Sequence, residues 1–102
     1  MLARVLSMRV AETTGGDFND CLVGITYTAD ATTFSNKPSN IASGPTVIMF
    51  FGLMSAMRGI QVAVNVDPSN GLCNIYMRGA IGTGGGNWSW SYWNKISGTI
   101  VS

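Results

Sequence analysis

The fold of this chain is decided by residues 60–78, IQVAVNVDPSNGLCNIYMR. Apolar side chains alternate with other types over residues 60–66, which predicts a strand with one apolar face. That face carries Ile60, Val62, Val64 and Val66. Residues 67–71, DPSNG, have strong turn chemistry, because Gly accepts positive φ and Asp and Asn hydrogen-bond to their own backbone. With a return strand over residues 72–78, the stretch predicts a β-hairpin.

Three further stretches are typical of strands. Residues 46–54 form a continuous apolar run, which favours a strand covered on both faces by a second layer or by neighbouring subunits. Residues 22–28 alternate, with Val23, Ile25 and Tyr27 on one face. Residues 88–97 close the chain as an extended segment, with Trp88, Trp90 and Tyr92 on one face and Trp93 on the other.

These elements predict a mainly β domain with long loops and little helix. We expect residues 46–54, 59–66, 72–78 and 88–97 to form one antiparallel sheet. The polar residues 29–45 are expected to form a long loop at an edge or tip of the sheet, and a loop of that length is a candidate binding element. Residues 79–87 contain five glycines and are expected to be a flexible connection. Residues 2–10 fit either a helix or a strand.

The composition is that of a single small domain that hides part of its surface. The chain has 102 residues, of which 46% are hydrophobic and 11% charged. Average soluble domains carry about 25% charged residues. Much of the surface must therefore be neutral, which suits a domain that assembles into an oligomer or a larger particle.

Several function classes are disfavoured by the residue types present. The net charge is +1 with six scattered cationic residues, so we expect no nucleic-acid partner. The chain has no His, which removes Ser–His–Asp and Cys–His catalysis and His-ligated zinc. We expect no catalytic residues, no metal and no cofactor. The longest apolar stretch, residues 47–57, falls short of the roughly 18 residues of a membrane span, so no membrane insertion is expected. For Cys21 and Cys73, two buried thiols are favoured over a disulfide.

Seven short motifs follow one another along the chain. They are Asp17-Phe18-Asn19, Gly24-Ile25-Thr26-Tyr27, Asn36-Lys37-Pro38, the apolar run from Val47 to Phe51, Ile60-Gln61, Ile75-Tyr76-Met77-Arg78, and Trp88 with Trp90 and Trp93 followed by Lys95-Ile96. In this order the chain resembles the pyocin-knob domains found in tail fibres of R-type pyocins, bacteriophages and prophages. It departs from them in two places. Tyr27 lies one place later than the usual aromatic residue, and the ending is Trp-Ser-Trp-Ser-Tyr-Trp instead of Trp-Ser-x-Trp.

The resemblance implies a function and a location. The chain would be a non-catalytic receptor-binding domain near the distal end of a homotrimeric fibre, in a phage virion or an extracellular tailocin particle. Its partners would be a bacterial surface polysaccharide and other fibre or virion proteins. Residues 1–14 would be an attachment or oligomerisation segment, and residues 15–102 the knob-like β domain.

The aromatic ending supplies the candidate glycan-binding residues. They are Trp90, Tyr92, Asn87 and Trp88. An indole ring can pack on the apolar face of a sugar while nearby amides bond its hydroxyls. The alternative is that Trp88 and Trp93 anchor the core or an interface, and this structural role is favoured for both.

Two polar groups are interpreted as structural. Gln61 and Arg78 lie on the two strands of the predicted hairpin, and a buried Gln there would need a partner that Arg can supply. Asp17, Asn19 and Asp20 carry oxygen ligands suited to Ca²⁺, but turn chemistry is favoured because the twelve-residue calcium loop is missing.

Two other functions remain open. The chain could be a structural trimerising cap or virion decoration protein that contacts no receptor. Less favoured is a polysaccharide-degrading fibre enzyme that uses a carboxylate pair. The acids available for such a pair are Glu12, Asp17, Asp20, Asp30 and Asp67.

Overall fold

A computed structural model describes residues 11–53 and 55–96, with only the backbone of Ala11 and Glu12. Strands dominate, and the helical residues in this part of the chain are two 3₁₀ turns, Phe18–Asp20 and Ala31–Thr33. The predicted mainly β, antiparallel fold is confirmed. Residues 2–10, for which helix and strand both stayed open, lie outside the described residues. None of the described helical segments is long and apolar enough to cross a membrane.

Nine strands make up the described structure. They are β1 (Ala11–Glu12), β2 (Gly16–Asp17), β3 (Ile25–Thr28), β4 (Phe34–Ser35), β5 (Thr46–Leu53), β6 (Arg58–Val66), β7 (Cys73–Gly84), β8 (Asn87–Trp90) and β9 (Asn94–Ile96). The main sheet has the order β1-β3-β5-β6-β7-β8, and β9 pairs with the other half of β7. Among the described strands of this sheet, only β1 and β3 pair in parallel. A separate parallel pair joins β2 to β4.

The sheet includes part of the segment expected to be an attachment. Ala11 and Glu12 pair with Thr26 and Tyr27 of β3, and the Thr13 N–H donates to the Tyr27 carbonyl. Residues 11–13 are therefore bonded to the domain that was expected to begin at residue 15.

The predicted hairpin is confirmed as the centre of the sheet. Strands β6 and β7 pair from Arg58 opposite Ile81 to Val66 opposite Cys73. In the turn, the Gly71 N–H donates to the Asp67 carbonyl at 2.7 Å, and Gly71 has φ +72°, which favours glycine. The turn chemistry of residues 67–71 therefore sets the register of both strands.

The glycine-rich residues 79–87 are part of the sheet, so the expectation of a flexible connection was wrong. β7 runs on to Gly84, and a tight turn leads into β8. Close packing requires glycine at two positions, Gly82 on β7 and Gly59 on β6. A Cβ at Gly82 would overlap the Met57 side chain, and one at Gly59 would lie 2.5 Å from Cζ of Phe50. Glycine here makes room for neighbouring side chains.

One face of the sheet is covered and the other is open. Residues 18–45 fold across one face and bury Phe18, Phe34 and Ile41 against it. The Phe18 and Phe34 rings meet edge to face at 5.3 Å between centroids. The sheet's own contribution to this core includes Ile48 and Tyr76. Residues 29–45 therefore cover a face of the sheet, whereas an edge or tip position was expected.

The covered face of β6 carries the residues between the apolar ones, which a sequence alternation of this kind would usually place in solvent. On β6 the buried residues are Gly59, Gln61, Ala63 and Asn65. Ile60, by contrast, is 47% exposed. On β5, Phe51 is 61% exposed, so covering of both faces does not occur within the described chain. The alternation was read correctly, but the apolar face is the open one.

Candidate functional site

Arg78 lies at the centre of a buried hydrogen-bond network on the covered face. Its side chain is only 6% exposed. Nε donates to Oε1 of Gln61 at 2.9 Å, and Nη2 donates to Oδ1 of Asn19 at 2.7 Å. Arg78 and Gln61 are direct cross-strand partners in the hairpin. The two residues interpreted as structural are therefore paired.

Gln61 connects this network to the loop that follows β2. Its Nε2 donates to the carbonyl of Phe18 at 2.6 Å and to the carbonyl of Cys21 at 3.2 Å. These carbonyls lie at the start and at the C-cap of the 3₁₀ turn Phe18–Asp20, and the carbonyl of Phe18 also accepts the N–H of Cys21. The sheet thus supplies a side-chain donor to both carbonyls and fixes the position of residues 18–21.

Two indole rings complete the surroundings of Arg78. The guanidinium carbon lies 3.9 Å from the ring centroid of Trp90 and 4.4 Å from that of Trp93. Such contacts stabilise a desolvated cation. Burial lowers the pKa of Arg78 to about 10, and the carboxylate of Asp17 opposes the shift. At neutral pH Arg78 is charged and holds both rings in place.

Trp93 and Tyr92 have different surroundings although they are neighbours. Trp93 packs edge to face on Phe18, and its Nε1 donates to the carbonyl of Asn36 at 3.1 Å. Tyr92 is 95% exposed. Strand β8 ends at Trp90, and the Oγ of Ser91 accepts the N–H of Gly79. The expectation that Tyr92 continues the face of Trp88 and Trp90 was therefore wrong.

Trp88 and Trp90 form an aromatic cluster with Phe50. They are two residues apart on β8 and so share a face. The Phe50 ring lies edge to face against both, with centroid distances of 5.2 Å to Trp88 and 5.8 Å to Trp90. Both indoles are half-buried, and the cluster fixes their orientation.

A surface depression lies between this cluster and the 3₁₀ turn Phe18–Asp20. Its volume is about 200 Å³. It is lined by Asn19, Asp20, Leu22, Gly86, Asn87, Trp88 and Trp90. Three of the four candidate glycan-binding residues, Asn87, Trp88 and Trp90, therefore line one depression, and Tyr92 does not.

The polar groups of the depression keep hydrogen-bonding capacity. Asn19 uses Oδ1 to accept from Arg78, which leaves its amide donors available. The exposed carboxylate of Asp20 and the exposed amide of Asn87 accept or donate no hydrogen bond within the described residues. The depression thus combines rings with donors and acceptors.

The sequence assigned Asn19 and Asp20 to turn chemistry, and in the structure both residues also line the depression. Asp17 is the turn-forming residue, because its Oδ1 accepts from the N–H of Asn19 and from Nδ2 of Asn36, both at 2.8 Å. Asp20 is thereby left free to face the depression. In the described part of the chain, no cluster of three potential metal ligands is present.

Trp90 also lines a larger hollow of about 450 Å³. Its polar side chains are Arg58, Ser89 and Ser91, and its remaining lining comes from Gly59, Gly79, Ala80 and Ile81. The guanidinium of Arg58 donates to the carbonyls of Ala56 and Met57. This hollow offers fewer free polar groups than the smaller depression.

The two cysteines are free thiols. Cys21 is half-buried, and burial raises the pKa of its thiol. Cys73 is exposed at the start of β7, so the expectation of two buried thiols was wrong for Cys73.

No protein-family model matches this chain, and searches for similar curated proteins and similar solved structures found no match.

Proposed function

We propose that this chain is a non-catalytic receptor-binding domain of a phage or tailocin tail fibre, and that it binds a bacterial surface glycan in the depression beside β8. One observation carries the proposal. Two half-buried indoles, Trp88 and Trp90, lie beside the carboxylate of Asp20 and the amides of Asn19 and Asn87. The ordered resemblance to pyocin-knob domains supports the location of the domain in a fibre.

The chemistry of the depression suits a sugar. A pyranose ring has an apolar face that packs on an indole and a rim of hydroxyls that both donate and accept. Asp20 can accept from neighbouring hydroxyls, while the amides of Asn19 and Asn87 can donate to them.

The depression is pre-organised. Arg78 supports one face of Trp90, and Phe50 holds the edges of both indoles. Side chains that are already ordered lose little conformational entropy when a ligand binds. A small site of this kind can therefore bind without rearranging.

The size of the depression suggests weak binding by each copy. Its volume of about 200 Å³ is below the range of about 300–1,000 Å³ typical of small-molecule pockets. One or two sugar residues would fill it. Several copies on one fibre would then supply avidity, which multiplies weak single-site affinities.

The proposal is tested by binding of fluorescently labelled protein to a panel of bacterial strains, each before and after periodate oxidation of surface sugars. We expect periodate-sensitive binding to a few strains. Asp20→Ala and Asn87→Ala should each weaken that binding by about tenfold, the effect of one lost hydrogen bond. Both residues are exposed, so these variants should stay folded.

Tyr92→Ala is the matched control, because it removes an exposed aromatic ring outside the depression. It should bind as well as the unchanged chain. Binding that depends on Tyr92 but not on Asp20 or Asn87 would place the site elsewhere. A folded chain that binds no strain would favour the structural cap.

A further inference from the structure

The open face of the sheet carries most of the large apolar side chains that the described chain leaves exposed. Nine such side chains are prominent, and six of them lie on this face. These six are Phe51, Leu53, Ile60, Ile75, Ile81 and Ile96. The other three are scattered: Val23, Leu72 and Tyr92.

The strand register arranges this face in continuous apolar rows. Cross-strand partners share a face. One row runs across five strands as Tyr27, Val47, Val64, Ile75 and Ile96. The next row is Ile25, Met49, Val62 and Met77, and Phe51 opposite Ile60 follows it.

Two charged residues of the described chain occupy positions on this face, both at its margins. Glu12, at the β1 edge, is in register with Tyr27. Arg58, opposite Leu53 and Ile81, lies at its end. Lys95 of β9 is opposite Tyr76, whose side chain is buried on the covered face, so Lys95 belongs to that side of the sheet. Apolar surface of this kind is stabilised only when water is removed from it.

The area of the face lies within the roughly 300–600 Å² of the largest apolar patch on a typical monomer, a size at which such patches are often functional. The six side chains are 38–61% exposed. With roughly 150–200 Å² for each large apolar side chain, they offer on the order of 500 Å². The partly exposed residues of the two rows raise this toward the roughly 800 Å² that each partner contributes to a standard protein interface.

We propose that the open face, centred on Phe51, Ile60, Val62 and Val64, is the surface through which copies of this chain pack on one another. A second copy offers an equally broad, equally apolar sheet, and sheets pack face to face about 10 Å apart. The inference rests on the proposed function only for the expectation of several copies per fibre. Its test involves no glycan.

The test measures the mass of the chain in solution by sedimentation equilibrium at micromolar concentrations. We expect a mass two or three times the 10.8 kDa of one copy. Two sheets face to face and three around an axis both bury the face, so either mass supports the proposal. A single-copy mass at all concentrations would overturn it.

A double variant, Phe51→Lys with Ile60→Glu, tests the surface itself. The two residues are cross-strand partners, so the new charges attract one another and the sheet is preserved. Burying these charges between copies is costly, and we expect the dissociation constant to rise at least about a hundredfold. Val23→Glu, a change at an exposed apolar residue outside this face, should leave the mass unchanged.

The rate of methionine oxidation tests the same surface without a variant. Met49 and Met77 lie on the open face, and Met57 packs over Gly82 away from it. In dilute peroxide, Met49 and Met77 should oxidise several-fold more slowly at high protein concentration than at low, with Met57 unaffected. The proposal would be contradicted if Met49 and Met77 oxidised at the same rate at both protein concentrations. It would also be contradicted if the double variant still assembled while Val23→Glu did not.

Discussion

The two faces of the sheet have opposite chemistry, and the difference reverses the usual rule for a small β domain. The face covered by residues 18–45 buries Gln61, Asn65 and Arg78. The open face carries valines, isoleucines and Phe51. A face is therefore buried within one chain because of what lies over it, and hydrophobicity alone does not decide which one.

The reason lies in the backbone of the covering segment. Irregular chain packed on a sheet presents carbonyls that have no strand or helix partner, and burying them unpaired is costly. Gln61 donates to the carbonyls of Phe18 and Cys21, and Asn65 donates to the carbonyl of Ala42. An apolar residue at either position would remove these amide donors, and the carbonyl of Phe18 would keep the N–H of Cys21 alone.

The largest effect is expected from Gln61→Leu. It removes both donors to residues 18–21 and leaves Nε of Arg78 without its acceptor, so we expect a loss of about 3 kcal/mol in the free energy of unfolding. Urea denaturation at fixed protein concentration measures it. Gln61→Glu should recover part of the loss, because it keeps an acceptor for Arg78. A change below about 0.5 kcal/mol for Gln61→Leu would show that the covering segment is held by its apolar contacts alone.

A smaller effect is expected where the covered face meets the aromatic ending. Trp93→Ala removes the contact with Phe18, the cation–π contact with Arg78 and the hydrogen bond to Asn36, and should cost about 2 kcal/mol. Tyr92→Ala should stay within about 0.5 kcal/mol. Equal losses for these two neighbours, measured by urea denaturation followed by circular dichroism, would contradict the distinction between them.

The smallest effect on stability is expected in the turn between β6 and β7, which joins the two central strands of the sheet. Hydrogen bonds from the side chain and backbone of Ser69 hold the pKa of Asp67 below its usual value of 3.8. Because the folded pKa is lowered, this stabilisation is complete above the unfolded pKa and is lost as the pH falls through the folded value. Asp67→Asn should therefore show a smaller fall in Tm than the unchanged chain between about pH 5 and about pH 2.5. Identical pH profiles would mean that the turn carboxylate contributes nothing.

Much of the fold could be predicted because its signals are local. The alternation of residues 60–66 and the turn chemistry of residues 67–71 depend on neighbours in sequence, and both were interpreted correctly. The glycines of residues 79–87 were not, because Gly82 is required by the distant side chain of Met57. Composition alone cannot distinguish such a glycine from one in a flexible linker.

The candidate site was predicted only in part, because some of its residues are placed by local strand geometry and others by distant contacts. Trp88 and Trp90 share a face by strand geometry, and Asn87 precedes them on β8. Asn19 and Asp20 join them only because Gln61 and Arg78 fix residues 18–21 above the sheet. Tyr92 was misplaced because β8 ends at Trp90, where Ser91 and Gly79 exchange two hydrogen bonds: the N–H of Gly79 donates to Oγ of Ser91, and the N–H of Ser91 donates to the carbonyl of Gly79.

The sequence by itself determined the β class, the central hairpin, its register and the existence of two chemically different faces, since each follows from side-chain periodicity and turn residues. Only the tertiary structure decided which face is covered and which side chains meet in the depression. That choice depends on where residues 18–45 place their carbonyls, and those positions arise from contacts between residues up to 59 places apart. Pairing buried carbonyls with amide donors costs less than burying them against valine, and so the more polar face became the inside.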